Sequence, residues 1–187
     1  TLLNLFSKYG QTSDQEYWLF TDASGRLDLY LTDESTGGTA HARSTTLNGY
    51  ATELIMVTVT YDGTGGSSAG SGISMYVNGT ALSMTSFIAA TYTAMEAGDH
   101  SFELGRGFDV NYTNNKLGSF ALFDKELSSS EITDLYNGGK PNDITSYSGL
   151  VGHWRMGEGS GTSIEDKSSN NNATTLVHSP AWTTDIP

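Results

Sequence analysis

The stretch GRLDLYLT at residues 25–32 alternates leucines with polar and aromatic side chains, and this period of two decides the class of fold. Leu27, Leu29 and Leu31 share one face of an extended chain, as they do in a strand that buries one side in a core. Turn residues at 21–25 separate this stretch from a second strand-like run at residues 17–20. The two runs therefore predict an antiparallel β-hairpin.

Short strand-like segments bounded by turn residues continue along the rest of the chain. Residues 54–61 are apolar or β-branched on both faces, which predicts a strand in the interior of a sheet. Residues 64–72 are rich in Gly and Ser, and we expect a flexible connection there. The next strand, 73–77, precedes Asn78-Gly79, a pair typical of a type I′ turn. Further strands are predicted at residues 101–104, 117–123, 150–156 and 173–177.

One helix is predicted, beginning at Ser128. Ser128 and Glu131 have the spacing of a capping box, in which each side chain accepts a hydrogen bond from the other residue's amide. Apolar residues at helical spacing continue to Tyr136, and the sequence Asn-Gly-Gly at 137–139 ends the helix. Many short strands with one short helix predict an all-β fold, an antiparallel sandwich.

The composition excludes several classes of function. The chain has 187 residues, with 9 Lys and Arg against 21 Asp and Glu, a formal net charge of −12. Binding to nucleic acid or to anionic membranes requires clustered cations that this chain lacks. It contains no Cys, so thiol catalysis and zinc-thiolate sites are excluded as well. This length favours a single domain.

The order of five segments, residues 57–63, 73–79, 104–106, 117–123 and 127–136, resembles the laminin-G-like, concanavalin A-like lectin/glucanase jelly-roll superfamily. The resemblance implies a concanavalin A-like jelly-roll sandwich over residues 1–187. Residues 149–187 look like the opening of such a domain, and we expect them to form its closing segment. The alternative is that a second, truncated unit begins there. The start at Thr1 without Met suggests a fragment of a longer chain.

Catalysis is not expected, although the superfamily includes glycoside hydrolases. Those enzymes need two carboxyl groups held about 5–9.5 Å apart across the sugar, and the related glucanases carry a Glu-x-Asp-x-x-Glu strand that this sequence lacks. A serine hydrolase elbow is not expected either, because the Gly-x-Ser-x-Gly pattern at residues 66–70 lies in a Gly/Ser-rich loop that a strand follows, not in a strand-to-helix turn. The sequence therefore predicts a protein that is not an enzyme.

The cofactor that the sequence suggests is Ca²⁺, which prefers carboxylate, amide and carbonyl oxygens in loops. Two groups of acidic and amide residues supply such oxygens, one with Asp166, Asn170 and Asn172 and the other around Asp109. The alternative is that these Asp and Asn residues serve only as turn formers.

A glycan site needs an exposed aromatic plane beside side chains that can hydrogen-bond sugar hydroxyls. The predicted rim formed by residues 108–115 supplies both, with Arg106, Phe108, Asn111 and Tyr112 as the candidate ligand contacts. Tyr9 and Tyr92 also lie in or near predicted loops. Trp18, Trp154 and Trp182 lie in strand-like or terminal segments, where packing in a core is expected.

These observations predict a lectin-like structural or binding module of a virion surface protein. Its role would be capsid or tail decoration, or attachment to host-surface glycans, because the segment order is also similar to modules in structural proteins of tailed bacteriophages. The location would be the virion surface or extracellular. Partners would be other virion or surface proteins and glycans, and a homo-oligomer is left open. The alternatives are a calcium-dependent carbohydrate-binding module of a secreted bacterial protein and, third, a glycoside hydrolase.

Overall fold

The computed structural model describes residues 3–47, 54–88, 91–108, 111–140, 142–172 and 174–183. The chain divides into two compact units, Thr1–Asn115 and Lys116–Pro187, called unit 1 and unit 2 below. Within the described ranges, every helix is too short or too polar to traverse a lipid bilayer.

The described part of unit 1 is built from short antiparallel strands. They are β1 Leu3–Tyr9, β2 Gln15–Thr21, β3 Arg26–Asp33, β4 Gly38–Thr46, β5 Val57–Tyr61, β6 Ile73–Val77, β7 Thr80–Ala81, β8 Met84–Ile88, β9 Glu103–Leu104, β10 Arg106–Gly107 and β11 Asn111–Tyr112. One sheet has the order β8-β4-β3-β2-β1-β9 and a second has the order β5-β6-β7, while β10 and β11 form a separate hairpin.

The two larger sheets of unit 1 share one hydrophobic core. The leucines of β3 face inward, and they join Ile73, Met75 and Val77 of β6 in a single buried cluster. This is the face that the alternation in residues 25–32 predicts, and β2 pairs with β3 as the predicted hairpin. The prediction of an all-β antiparallel sandwich is confirmed.

The sequence patterns did not predict β4 or β8. On its core side β4 places only small residues, Ala40 and Ala42, so the hydrophobic alternation that identifies a strand is weak there. β8 is an edge strand whose residues are mostly exposed, so its sequence carries little apolar signal. Both strands are held by pairing with residues far away in sequence, since β8 pairs with β4.

The prediction of a flexible connection at residues 64–72 is wrong. A 3-10 helix occupies Gly66–Gly72, and Ala69 is fully buried in the core. The Ser86 hydroxyl donates a hydrogen bond of 2.8 Å to the Gly70 carbonyl. A Cβ on Gly70 would lie 3.0 Å from the Ser86 Cβ, so the small residues allow a close approach to β8 rather than a loose loop.

The Asn78-Gly79 turn has the predicted geometry. Both residues have positive φ, 49° and 77°, as a type I′ turn requires. The flanking residues Val77 and Thr80 pair across the turn, which joins β6 to β7.

The described part of unit 2 contains a helix and two short strand pairs. Its elements are β12 Phe120–Phe123, α1 Ser129–Tyr136, a 3-10 turn at Asn137–Gly139, β13 Leu150–Trp154, β14 Ser163–Ile164 and β15 Thr174–Thr175. β12 pairs with β13, and β14 pairs with β15. The predicted capping box is present, and Asn137 ends α1 in the left-handed conformation. That one sandwich comprises residues 1–187 stays a prediction.

Candidate functional site

The predicted rim is a hairpin in unit 1, formed by β10 and β11 with Arg106 opposite Tyr112. Two buried side chains of β1 hold it in place. The Asn4 amide donates to the Asn111 carbonyl at 2.8 Å, and the Ser7 hydroxyl donates to the Arg106 carbonyl at 2.9 Å. Because both donors lie in a strand that is paired on both sides, with β2 and β9, the hairpin has a rigid base.

The outer side of the hairpin presents an aromatic ring beside polar groups. Tyr112 is 50% exposed, and Cζ of Arg106 lies 5.5 Å from the centre of its ring, a cation–π distance. Arg106 also forms an ion pair with Glu103, which fixes the guanidinium. Asn111 is exposed next to Tyr112. The structure thus brings together three of the four residues predicted to contact a ligand.

Phe108, the fourth predicted contact, packs inward. Its backbone has a positive φ of 52°. Its ring makes an edge-to-face contact with the ring of Trp18, with 4.4 Å between the ring centres. The Phe108 ring is also 5.0 Å from the ring of Tyr9. Phe108 is therefore half-buried in a cluster with Tyr9, Trp18 and Phe20. A ligand contact by Phe108 stays a prediction.

Other aromatic residues differ in part from expectation. Tyr9 ends β1 and Tyr92 lies in a loop, as predicted, but both are buried, so the expected exposure of their rings is wrong. Tyr9 ends a strand that turns it toward Trp18. Trp18 and Trp154 are buried, as predicted. Trp182 is only half-buried, and its indole N–H donates to the Gly161 carbonyl at 2.9 Å.

A row of rings on the large sheet was not predicted. Trp18, Tyr30, His41 and Phe87 lie on four adjacent strands, and each is paired in register with the next. Their rings follow one another at centroid distances of 6.2, 4.1 and 5.4 Å. The row ends at Phe87, which is 50% exposed on the edge strand β8. Only the register aligns these rings, because they are far apart in sequence.

A buried carboxylate lies next to this row. Asp28 has no exposed surface, and one of its oxygens accepts from Nε of Arg43 at 2.7 Å and lies 2.5 Å from Nε2 of His41. Its other oxygen has no hydrogen-bond partner among the described residues. Burial lowers the pKa of His41, while the bond to Asp28 opposes that shift. The sequence placed Asp28 on the polar face of β3 but gave no sign of its burial.

The predicted calcium residues of unit 2 form a hydrogen-bonded turn. Asp166 is buried, and its oxygens accept from the backbone amides of His153, Ser168 and Asn172, each at 2.8 Å. Burial raises the pKa of Asp166, but these hydrogen bonds outweigh it and hold the pKa far below its usual range. A cation at this carboxylate would have to displace the amide donors.

The other two residues predicted to bind calcium in unit 2 also have hydrogen-bond partners within the protein. The side-chain amides of Asn170 and Asn172 both donate to the Val151 carbonyl, at 2.8 and 2.9 Å. Asp109, the other predicted calcium ligand, lies outside the described residues. Among the residues that are described, no cluster of three or more His, Asp or Glu could hold a metal ion. Calcium binding stays a prediction.

Comparison with known proteins places these observations in a family. A family model described as the concanavalin A-like lectin/glucanases superfamily matches residues 3–133. The matched residues include the two large sheets, the hairpin and most of helix α1. No curated protein and no solved structure matched the chain in the corresponding searches.

Proposed function

Because the chain belongs to the concanavalin A-like lectin/glucanase superfamily, we propose that it is a non-catalytic glycan-binding module whose sugar contacts are Arg106, Asn111 and Tyr112. The observation that carries this proposal is the half-exposed ring of Tyr112 beside an ordered guanidinium. Sugars bind proteins through an apolar ring face and through hydroxyl groups. The hairpin offers an aromatic plane for the former, with Arg106 and Asn111 as donors for the latter.

Six of the described carboxylates are unsuited to act as the proton donor of a glycosidase. A glycosidase needs a carboxylic acid that keeps its proton near neutral pH, so its pKa must be raised. Among the described carboxylates, each one with a shifted pKa has it lowered: Asp14, Asp22, Asp33, Glu131, Asp143 and Asp166. These groups are anchored by hydrogen bonds and are poor proton donors.

We further propose that the module is displayed on a virion surface, as decoration of a capsid or tail or for attachment to host glycans. This proposal rests on the resemblance, noted in the sequence analysis, of its segment order to modules in structural proteins of tailed bacteriophages. Labelling with an antibody against the chain, viewed by electron microscopy, should place it on the outside of particles. Its absence from particles would reject this part of the proposal and leave glycan binding standing.

Glycan binding is tested with a glycan array followed by titration calorimetry on the best hit. We expect Tyr112→Ala to weaken binding by about fivefold, since an aromatic stacking contact contributes about 1 kcal/mol. The melting temperature should not change, because Tyr112 is half-exposed.

Phe87→Ala is the matched control, because Phe87 has the same 50% exposure but lies on β8 rather than on the hairpin. It should bind the glycan as the natural chain does. If Phe87→Ala abolishes binding and Tyr112→Ala does not, the sugar lies on the aromatic row and the assigned contacts are wrong. An array without any hit would reject the glycan-binding function itself.

A further inference from the structure

Unit 2 contains a cavity of about 270 Å³ that the predicted function does not use. It is lined by Asn142, Asp143, Thr145, His153, Arg155 and Lys167. Strand β13 supplies His153, and the Lys167 amide donates to the His153 carbonyl at 2.7 Å. The loop after α1 is also fixed, because Asp143 accepts from both the amide and the hydroxyl of Thr145, at 3.0 and 2.7 Å.

The charge of this lining is opposite to that of the protein. The chain carries −12 and has only 9 Lys and Arg, yet Arg155 and Lys167 both line this cavity. Asp143 is the one carboxylate in the lining, so the lining has a net charge of +1 with His153 neutral. Lys167 forms an ion pair with Glu165, a mostly exposed residue outside the lining. A monoanion is the ligand that such a lining favours.

His153 adds a second, independent observation. The residue is 4% exposed, and its Nε2 lies 3.1 Å from the Ser119 hydroxyl. Its other ring nitrogen, Nδ1, is buried and has no hydrogen-bond partner among the described residues. Unpartnered buried polar atoms are rare because they lose their hydrogen bonds to water, and a bound ligand or water is one way to satisfy such an atom. Burial, followed by the charge of Arg155, lowers the pKa of His153, so the ring is neutral at pH 7.

We propose that this cavity binds an acidic monosaccharide, with Arg155 and Lys167 contacting the sugar carboxylate. Asn142, Asp143 and Thr145 are then the partners for hydroxyl groups. The volume fits one sugar ring and exceeds what a bare phosphate fills. Asp143 also disfavours a dianionic phosphate, whereas it can accept a hydrogen bond from a hydroxyl group. This site goes beyond the hairpin of unit 1 and involves none of its residues.

The test is a titration of the full chain with sodium glucuronate, followed through the imidazole nitrogen resonances of His153 by NMR. Glucose and inorganic phosphate are titrated in the same way. We expect glucuronate to give saturable shifts at His153, with much weaker effects from glucose and from phosphate. Arg155→Gln should weaken glucuronate binding by about tenfold or more, because it removes a charge-assisted hydrogen bond.

Lys140→Gln is the control for Arg155→Gln. Lys140 is an exposed cation of the same unit that does not line the cavity, so this variant makes the same change in charge and should bind glucuronate normally. Equal binding of phosphate and glucuronate would overturn the assignment to sugar acids. The absence of saturable shifts at His153 with every probe would overturn the site itself. Neither result bears on Tyr112, so the two proposals can fail separately.

Discussion

At the scale of single residues, Asp28 is the side chain whose environment differs most from its sequence context. It lies on the polar face of an alternating strand, yet it is fully buried and contacts two basic side chains. Removing one partner from a buried ion pair leaves the other charge without compensation. The stability of unit 1 should therefore depend on this carboxylate.

We predict that Asp28→Ala lowers the free energy of unfolding by about 3 kcal/mol. Urea denaturation followed by tryptophan fluorescence measures this change. Asp99→Ala makes the same substitution at an exposed position and should change stability by less than about 0.5 kcal/mol. Equal stability of the two variants would show that the pairs with His41 and Arg43 contribute nothing.

A second residue, Asp166, tests the calcium prediction. If Ca²⁺ binds at Asp166, adding it must raise the melting temperature by mass action, and excess EGTA must reverse the effect. The five hydrogen bonds to this carboxylate lead us to expect that Asp166 takes no part in such a response, so Asp166→Asn and the natural chain should respond equally to both reagents. If Ca²⁺ raises the melting temperature of the natural chain and Asp166→Asn abolishes that rise, the metal site is established instead.

At the scale of elements, the β10–β11 hairpin depends on a glycine that approaches β1 closely. A Cβ on Gly107 would lie 2.6 Å from Oδ1 of Asn4 and 2.7 Å from Nε1 of Trp18, two atoms that are hydrogen-bonded to each other. A larger residue must therefore push the hairpin away from β1 or break that hydrogen bond.

We predict that Gly107→Ala destabilises the protein by about 2 kcal/mol, and that it also weakens glycan binding because Arg106 and Tyr112 move with the hairpin. Denaturation and calorimetry measure the two effects. Gly157→Ala is the matched control, since a Cβ on Gly157 would meet no atom within 4 Å. Unchanged stability of Gly107→Ala would mean that the hairpin is not held as described.

Helix α1 depends on its first turn. The Ser128 hydroxyl accepts from the Glu131 amide at 3.3 Å, and the Glu131 carboxylate accepts from the Ser128 amide at 2.8 Å. Ser128→Ala should lower the stability of unit 2 by about 1 kcal/mol, measured by hydrogen exchange of the helix amides. Ser129→Ala, one position later, should not lower it, because alanine favours the helix interior. A loss of protection in Ser129→Ala alone would contradict the assigned cap.

At the scale of the whole molecule, acid should destabilise the fold. The pKa of Asp33 is about 2, because hydrogen bonds from Thr36, Thr93 and Ala94 outweigh its burial, and the pKa of Glu131 is about 2, chiefly through its hydrogen bond to Lys125. Both values lie below those of an unfolded chain, so the folded state binds fewer protons and its stability is lost as the pH falls toward 2.

The two buried histidines also make the folded state less stable as the pH falls, and their effect begins at a higher pH than that of the carboxylates. Burial lowers the pKa of His41 and of His153, so protonation below pH about 6.5 favours the unfolded chain. We predict that the melting temperature falls steadily from pH 7 to pH 3, as scanning calorimetry would measure. A melting temperature that is constant or rises over this range would contradict these pKa directions.

The sequence by itself determined the class of fold, one of its tight turns and the start of its helix. The leucines of residues 25–32, the Asn78-Gly79 turn and the capping box at Ser128 each depend on contacts between near neighbours, so their spacing alone predicts them. It also suggested Arg106, Asn111 and Tyr112 as ligand contacts, because short polar and aromatic loops are local features.

Only the tertiary structure decided which residues meet across the fold. The bond between Asn4 and Asn111 joins residues 107 positions apart, and the aromatic row depends on the register of four strands. Strand pairing brings the positive cavity of unit 2 together in the same way, from β13 and the two loops beside it. No local sequence pattern predicts these long-range contacts. They form when strands pair into sheets and when buried polar groups make hydrogen bonds to residues far away in sequence.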